Sequence, residues 1–307
     1  MFQFRRKFIP KILMNNFLFP IYRILVPKPL RTIILKKNLR KKIFAHFSSI
    51  PEDQVNNEQK EILKYLENNE IQIFPYLFHK NYSPDNIEVF YDQERCMSYV
   101  LQDGKRLYFK KRWKEKKIKQ AYSDLMREQD INSPHRYLAD SFTAGSNDVL
   151  ADIGAAEGNF SLAVIEEVKK IYLFEYDNEW IEALKATFAP WPEKVEIINK
   201  FVGDHNDDSH IRFDTFFESK QDVTFLKIDV DGAEEVVMNS CKGMFNTQQP
   251  LKIALCTYHK NDDEMKLTSI LKEHGFLVTP SKGYMINYYD KKMKAPYLRR
   301  GLIRAVR

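Results

Sequence analysis

The chain predicts an α/β fold, a Rossmann-like sheet with helices on both faces, preceded by a small N-terminal α+β accessory region. Three observations carry that expectation. The run Asp148-Val-Leu-Ala-Asp-Ile-Gly-Ala-Ala-Glu-Gly-Asn-Phe160 is an apolar strand that breaks into a glycine-bearing turn. The next apolar run ends in the acidic Glu175, 21 residues beyond Gly154, which is the layout of a nucleoside-binding βαβ unit. A later apolar run, Val223 to Ile228, ends in Asp229, Asp231 and Glu234, where ligands of open α/β sheets bind beyond the carboxyl ends of strands.

Residues 1–51 form a basic, aromatic arm. It holds twelve Lys or Arg and no Asp or Glu, so the rest of the chain carries −6 although the whole carries +6. Aromatic and aliphatic residues lie between the charges, a pattern suited to an anionic membrane surface. A helical arm packed on its own domain explains the pattern equally well. No nucleic-acid motif accompanies the charge, so nucleic acid is not expected as a partner. The 307 residues, 44% apolar, suffice for one full α/β domain and an accessory unit. Cys96, Cys241 and Cys256 are odd in number and far apart, which predicts a reducing cytoplasm. No apolar run reaches the ~18 residues that span a bilayer, so the expected location is cytoplasmic or peripheral on the inner membrane face.

Residues 52–140 read as an accessory helix and β-hairpin region. Glu52 to Glu70 has helical spacing behind Pro51, Ile87 to Tyr91 reads as a strand, and Cys96 to Leu101 pairs with Lys105 to Phe109 through Asp103-Gly104. Lys110, Lys111, Arg112 and Lys114 could face phosphate or uronate groups of a substrate, or simply a solvated helix face. His135 and Arg136, in the polar approach to the first sheet strand, are candidates for acceptor binding. A helix capped by Ser133 with Pro134 in its first turn accounts for the same residues.

Residues 141–307 carry the sheet. Gly154 lets the chain turn off the strand, Ala155 and Ala156 keep side chains clear of a ligand, and Gly158 permits close helix packing. Glu175, with Tyr176 beside it, is placed to accept hydrogen bonds from ribose hydroxyls. Dinucleotide sites need Gly-x-Gly-x-x-Gly, whereas Gly154 and Gly158 stand four apart behind Asp152, a carboxylate that a pyrophosphate would meet. A cationic ligand suits it better, and S-adenosylmethionine is such a ligand. An ordinary strand-turn-helix remains compatible with this segment, and a nicotinamide oxidoreductase is disfavoured by the glycine spacing. Val195 to Val202 reads as a third strand with Gly203-Asp204 as its exit, a position that holds the adenine amino group in adenosylmethionine enzymes. Residues 204–210 read as a flexible polar loop, Asp262 to His274 as a helix, Phe276 to Pro280 and Gly283 to Tyr289 as strands, and Arg299 to Arg307 as an edge strand.

Together, Asp152-Ile-Gly-Ala155, Phe174-Glu175, Val202-Gly-Asp204, Phe213-Asp214 and Lys227-Ile-Asp-Val-Asp-Gly-Ala-Glu234 resemble the FkbM-type class I adenosylmethionine-dependent methyltransferases over Ser141 to Phe276. The chain departs from that family at Ala156-Glu157-Gly158, at Asp231 and at Leu255-Cys-Thr-Tyr-His259. The resemblance implies a methyltransferase domain over 141–307 with a reversed C-terminal strand beside the fifth, and O-methylation of a sugar hydroxyl in a glycolipid or surface polysaccharide precursor. A non-catalytic nucleotide-binding module of a membrane-associated assembly is the alternative. Methyl transfer requires a proton acceptor. His259 is expected to be that base because its unperturbed pKa is nearest neutrality, with Asp229 next and Asp231 and Glu234 positioning the acceptor. No metal is assigned, although Asp229 and Asp231 could bind a divalent ion.

Overall fold

The computed structural model describes residues 28–307; most of the apolar residues of the basic arm, Phe2 to Val26, lie outside them. The described chain begins with α1 (Lys28–Phe47) and α2 (Asn57–Asn68), then the strands β1 (Phe90–Asp92), β2 (Met97–Gln102) and β3 (Lys105–Tyr108), then α3 (Glu115–Glu128). Strand and helix next alternate through β4 (Val149–Ile153), α4 (Asn159–Ala163), β5 (Lys170–Phe174), α5 (Asn178–Thr187) and β6 (Val195–Ile198). A short ladder of β7 (Phe201–Val202) with β8 (His210–Ile211) precedes α6 (Phe213–Ser219), β9 (Phe225–Ile228), α7 (Glu234–Ser240), α8 (Lys242–Asn246) and β10 (Lys252–Cys256). The chain ends with α9 (Asp263–Glu273), β11 (Leu277–Pro280) and β12 (Leu302–Val306).

The large sheet runs β11-β12-β10-β9-β4-β5-β6. All its neighbours are parallel except the pairs made by β12, which is antiparallel to both β10 and β11. The chain builds outward from β4 to β6, then returns to the other side of β4 to lay down β9 and β10. This reversal leaves a crevice at the adjoining carboxyl ends of β4 and β9, the general ligand position in a doubly wound sheet. The Rossmann-like class expected from the sequence is thus the observed one. Both faces are buried: Ala151, Ile153, Leu226 and Ile228 enter one apolar layer with Phe216 and Met238, while Leu150 and Phe225 enter the other with Phe142 and Phe160. Burial on two faces is why these strands read as near-continuous apolar runs.

Several expectations change in detail. The segment Arg299 to Arg307 is not an edge: β12 is inserted between β10 and β11, the reversed strand that the family resemblance implied. Gly283 to Tyr289 forms no named strand. Only an isolated bridge joins Met285 to Arg299, because Ile286 and Tyr288 are buried against α1 and α2 instead. Helix α2 begins later than Glu52, where a reciprocal capping box between Asn56 and Gln59 satisfies its first amides. Asp103 and Gly104 have φ of 49° and 78°, the two left-handed positions of the tight hairpin that the sequence predicted. Residues 204–210 are stapled rather than open: His205 lies 2.7 Å from Asp204 and 3.0 Å from Asp207, which also engages His210 at 3.0 Å.

Candidate active site

The crevice holds a cavity of about 470 Å³. Gly154 and Ala156 line it from the loop after β4, Glu175 and Tyr176 from the end of β5, and Asp229 and Asp231 from the end of β9, with Trp180, Phe201 and Tyr258 completing the walls. Gly154 has φ +79°, and a Cβ there would lie 2.1 Å from the Asp229 carbonyl oxygen, so only glycine lets the two loops meet. Gly158 also has φ +79°, and its Cβ would lie 2.7 Å from Leu184, so α4 starts tight against α5.

Glu175 does not stand free. Its carboxylate accepts from the amides of Ala156 at 2.9 Å and of Tyr176 and Asp177 at 2.8 Å each, stitching the β4 loop to the β5 end. Three accepted bonds leave about one lone-pair site for a ligand hydroxyl. Tyr176 and Phe201 stack with centroids 4.2 Å apart and form an exposed aromatic surface beside it.

Asp152 is elsewhere. Its carboxylate is buried behind the strand end, 2.9 Å from the Lys227 ammonium, and accepts from the Ser161 hydroxyl at 2.7 Å. Asp152 and Lys227 are register partners on β4 and β9, and Lys227 also donates to the Gly154 carbonyl at 2.7 Å. The expectation that Asp152 greets a cationic ligand is therefore corrected, because its charge is spent on Lys227. Burial lowers the Lys227 pKa, but Asp152 and Asp229 together hold it above the ordinary value. A lone lysine within the apolar run Phe225-Leu-Lys-Ile228 was the available signal, since a buried ammonium needs a buried counter-charge.

Asp229 is the hub. Tyr137 donates to it at 2.9 Å and Tyr258 at 3.4 Å, while His135 Nε2 lies 3.5 Å away. Burial favours its neutral form, but His135, Lys227 and His259 win, and the carboxyl stays well below the usual range. Tyr137 and Tyr258 were not singled out from the sequence.

His259 lies behind Asp229, off the cavity wall. Its Nδ1 is 2.8 Å from Glu234, and its Nε2 is 3.7 Å from both Asp229 and Asp231. Burial alone would lower its pKa, yet the surrounding Asp231, Glu234 and Asp229 lift it to about 10. An imidazolium at neutral pH cannot take a further proton, which overturns the choice of His259 as the base. Glu234, fully buried, accepts from the amides of Val230 and Gly232 at 3.1 and 3.2 Å, and so shapes the loop rather than facing an acceptor.

The other expected contacts lie apart from the cavity. His135 is 1% exposed, beneath Asp229 and 3.6 Å from Cys256. Arg136 turns toward the Gln129 carbonyl at 3.4 Å. Ala155 is buried, its amide bonded to Phe174. Gly203 packs on His210, and Asp204 pairs with His205 on an exposed loop, so neither lines the cavity. Lys110, Lys111 and Arg112 are paired with Asp177, Glu182 and Glu179 on or beside α5, which removes them as a substrate patch. Among the described residues, Asp229-Glu234-His259, His135-Asp229-Cys256 and His205-Asp207-His210 each bring three potential metal-ligand atoms within 4.8 Å of one another. At the first of these, a divalent ion would have to displace the His259 proton.

No family model and no curated protein matches this chain. Solved structures resemble parts of it. Methyltransferase FkbM from Methylobacillus flagellatus KT is similar over 63% of this chain, at 13% identity and a TM-score of 0.43. The chain spans about half of that protein's length, 53%. Precorrin-6y C5,15-methyltransferase from Geobacter metallireducens GS-15 is similar over 53% of this chain and 78% of its own, at 15% identity and a TM-score of 0.34. An rRNA methylase from Streptococcus thermophilus is similar over 53% and 87% respectively, at 10% identity and a TM-score of 0.36.

Proposed function

We propose that this chain is an S-adenosylmethionine-dependent O-methyltransferase whose acceptor is a neutral sugar hydroxyl of a glycolipid or surface polysaccharide precursor. The observation that carries the proposal is the charge of the cavity wall. Glu175, Asp229 and Asp231 contribute carboxylates, Asp177 contributes one that is already paired with Lys110, and Lys200, which donates to the Asp207 carbonyl at 2.6 Å, contributes the one amine. Such a wall suits a cationic donor and opposes a pyrophosphate.

The residues fit that donor. Glu175 would take a ribose hydroxyl, Tyr176 and Phe201 offer an aromatic face to the adenine, and the Gly154 turn leaves room for the chain between them. Glu157, beside Ala156, is buried and lifted by that burial to about 8, and burial raises Glu128 as well. Adenosylmethionine, when bound, supplies an electrophilic methyl group. Asp229 and Asp231 would orient the acceptor hydroxyl, and Asp229 would receive its proton as the methyl bond to sulfur breaks and the bond to oxygen forms, with adenosylhomocysteine as the leaving group. The His259 imidazolium holds both carboxylates in place. Tyr137 and His135 fix the orientation of Asp229 from below, as second partners commonly do for a working carboxylate.

The acidic wall also sets acceptor preference, since uronates and phosphosugars would be repelled. The sugar itself is supported by the family resemblance. The test is transfer of a labelled methyl group from adenosylmethionine to fractionated glycans. Label should enter neutral glycans or glycolipids and not uronate-rich ones. Tight cofactor binding with no transfer to any fraction would instead support the non-catalytic module.

A further inference from the structure

Helix α1 is used for packing along only part of its length. Leu39, Ile43 and Phe47 form one buried stripe against α2 and the 284–298 segment. One or two turns earlier, Leu30, Ile33, Ile34 and Leu35 are 48%, 42%, 38% and 45% exposed. Four large aliphatic residues in the first turns of α1 leave apolar area that nothing else in the described chain covers.

The same helix contains Lys28, Arg31, Lys36, Lys37, Arg40, Lys41 and Lys42 and no acidic residue. Leu30, Ile34, Lys37 and Lys41 follow one another at four-, three- and four-residue steps, with Ile33 beside them, so an apolar tip runs directly into a cationic stretch on one face. A shallow groove along that face is lined by Ile34, Lys37, Asn38, Arg40, Lys41 and Phe44. The neighbouring loop after Tyr288 adds an exposed Tyr289 and the exposed Lys292 and Lys294.

We propose that the free face of α1 docks on a bilayer surface bearing anionic lipid headgroups, with Leu30, Ile33 and Ile34 entering the interface and Lys37, Lys41 and Lys42 meeting the headgroups. Charge complementarity selects this occupant. A second copy would set two uniformly cationic helices against each other, and a nucleic-acid backbone would gain nothing from the aliphatic tip. The docking is peripheral: no helix among the described residues is long and apolar enough to cross a membrane. It is independent of the methyl-transfer proposal.

The test is co-sedimentation of the full-length chain with vesicles of phosphatidylcholine alone and of phosphatidylcholine mixed with phosphatidylglycerol. The chain should sediment with the mixed vesicles only, and added salt should release it. Combined Lys37→Gln, Lys41→Gln and Lys42→Gln should weaken binding on the order of a hundredfold, at roughly fivefold per charge. Combined Leu30→Gln, Ile33→Gln and Ile34→Gln should weaken it by about tenfold or more. All six side chains are exposed, so both variants should keep the parent far-ultraviolet circular dichroism; if one does not, the other still reads the face. Equal sedimentation with both vesicle types, none with either, or parental binding by the variants overturns the proposal. So does an RNA homopolymer that binds the same face more tightly than the mixed vesicles do.

Discussion

The proton on His259 decides how this site can work. Three carboxylates of the single segment after β9 surround it, and the imidazole pKa rises from its ordinary value near 6.5 to about 10. Two outcomes follow. Because the folded pKa is raised, the stability that His259 contributes is fully present below about pH 6.5 and is lost as pH rises through about 10. Chemical denaturation of the parent and of His259→Gln should therefore converge across that window, with the parent losing its advantage toward alkaline pH. Turnover of the parent should be level from about pH 6.5 to 8, whereas an acid limb centred near 6.5 would return the base role to His259. Glu175 has a different dependence, since its carboxylate holds loop amides as well as the proposed ribose. Glu175→Ala should weaken adenosylmethionine binding by about 1.5 to 3 kcal/mol. A lowered melting temperature should accompany it. Unchanged affinity in a folded variant would remove the β5 end from the cofactor site.

At the scale of elements, the site depends on how β4 and β9 are locked together. Lys227→Met would leave the Asp152 carboxylate buried without its partner, at a cost of about 3 to 5 kcal/mol. Adding Asp152→Leu should recover most of that loss, because an apolar pair of similar volume fits the same layer. Denaturant midpoints of the two single variants and the double variant measure the coupling, and additive losses would show that the pair is not energetically linked. The sheet itself was legible because strands buried on two faces keep an unbroken apolar run, and the turn at Gly154 is written into the local sequence. The third strand was legible only in part. Val195 to Val202 reads as one run, but the chain breaks after Ile198, where Asn199 donates to the Glu175 and Tyr176 carbonyls at the end of the neighbouring β5. No local pattern announces such a contact. The insertion of β12 is equally non-local, and the family resemblance supplied it where periodicity alone suggested an edge.

Over the whole molecule, the accessory elements brace the sheet from separate places. The hairpin meets α5, with the Tyr108 amide donating to Thr187 at 3.0 Å, while α1 and α2 pack on the segment between β11 and β12. Arg300 joins that segment to Glu58 of α2 at 2.6 Å. This division explains why the candidate residues were unevenly legible. Gly154, Glu175 and Asp229 sit at strand ends, whose function follows from the sheet. His135, His259 and the basic Lys110–Arg112 stretch depend on partners far away in sequence, and those partners bury or neutralise them. Methyl transfer at this crevice requires that it bind a cationic nucleoside. Isothermal titration of the full chain with adenosylmethionine, adenosylhomocysteine and NAD tests that most directly, with Gly154→Val as the control in which the β4 loop cannot close on Asp229. The parent should bind adenosylmethionine and adenosylhomocysteine saturably, a folded Gly154→Val chain should bind neither, and NAD should give no heat. Saturable binding of NAD with none of adenosylmethionine would contradict it.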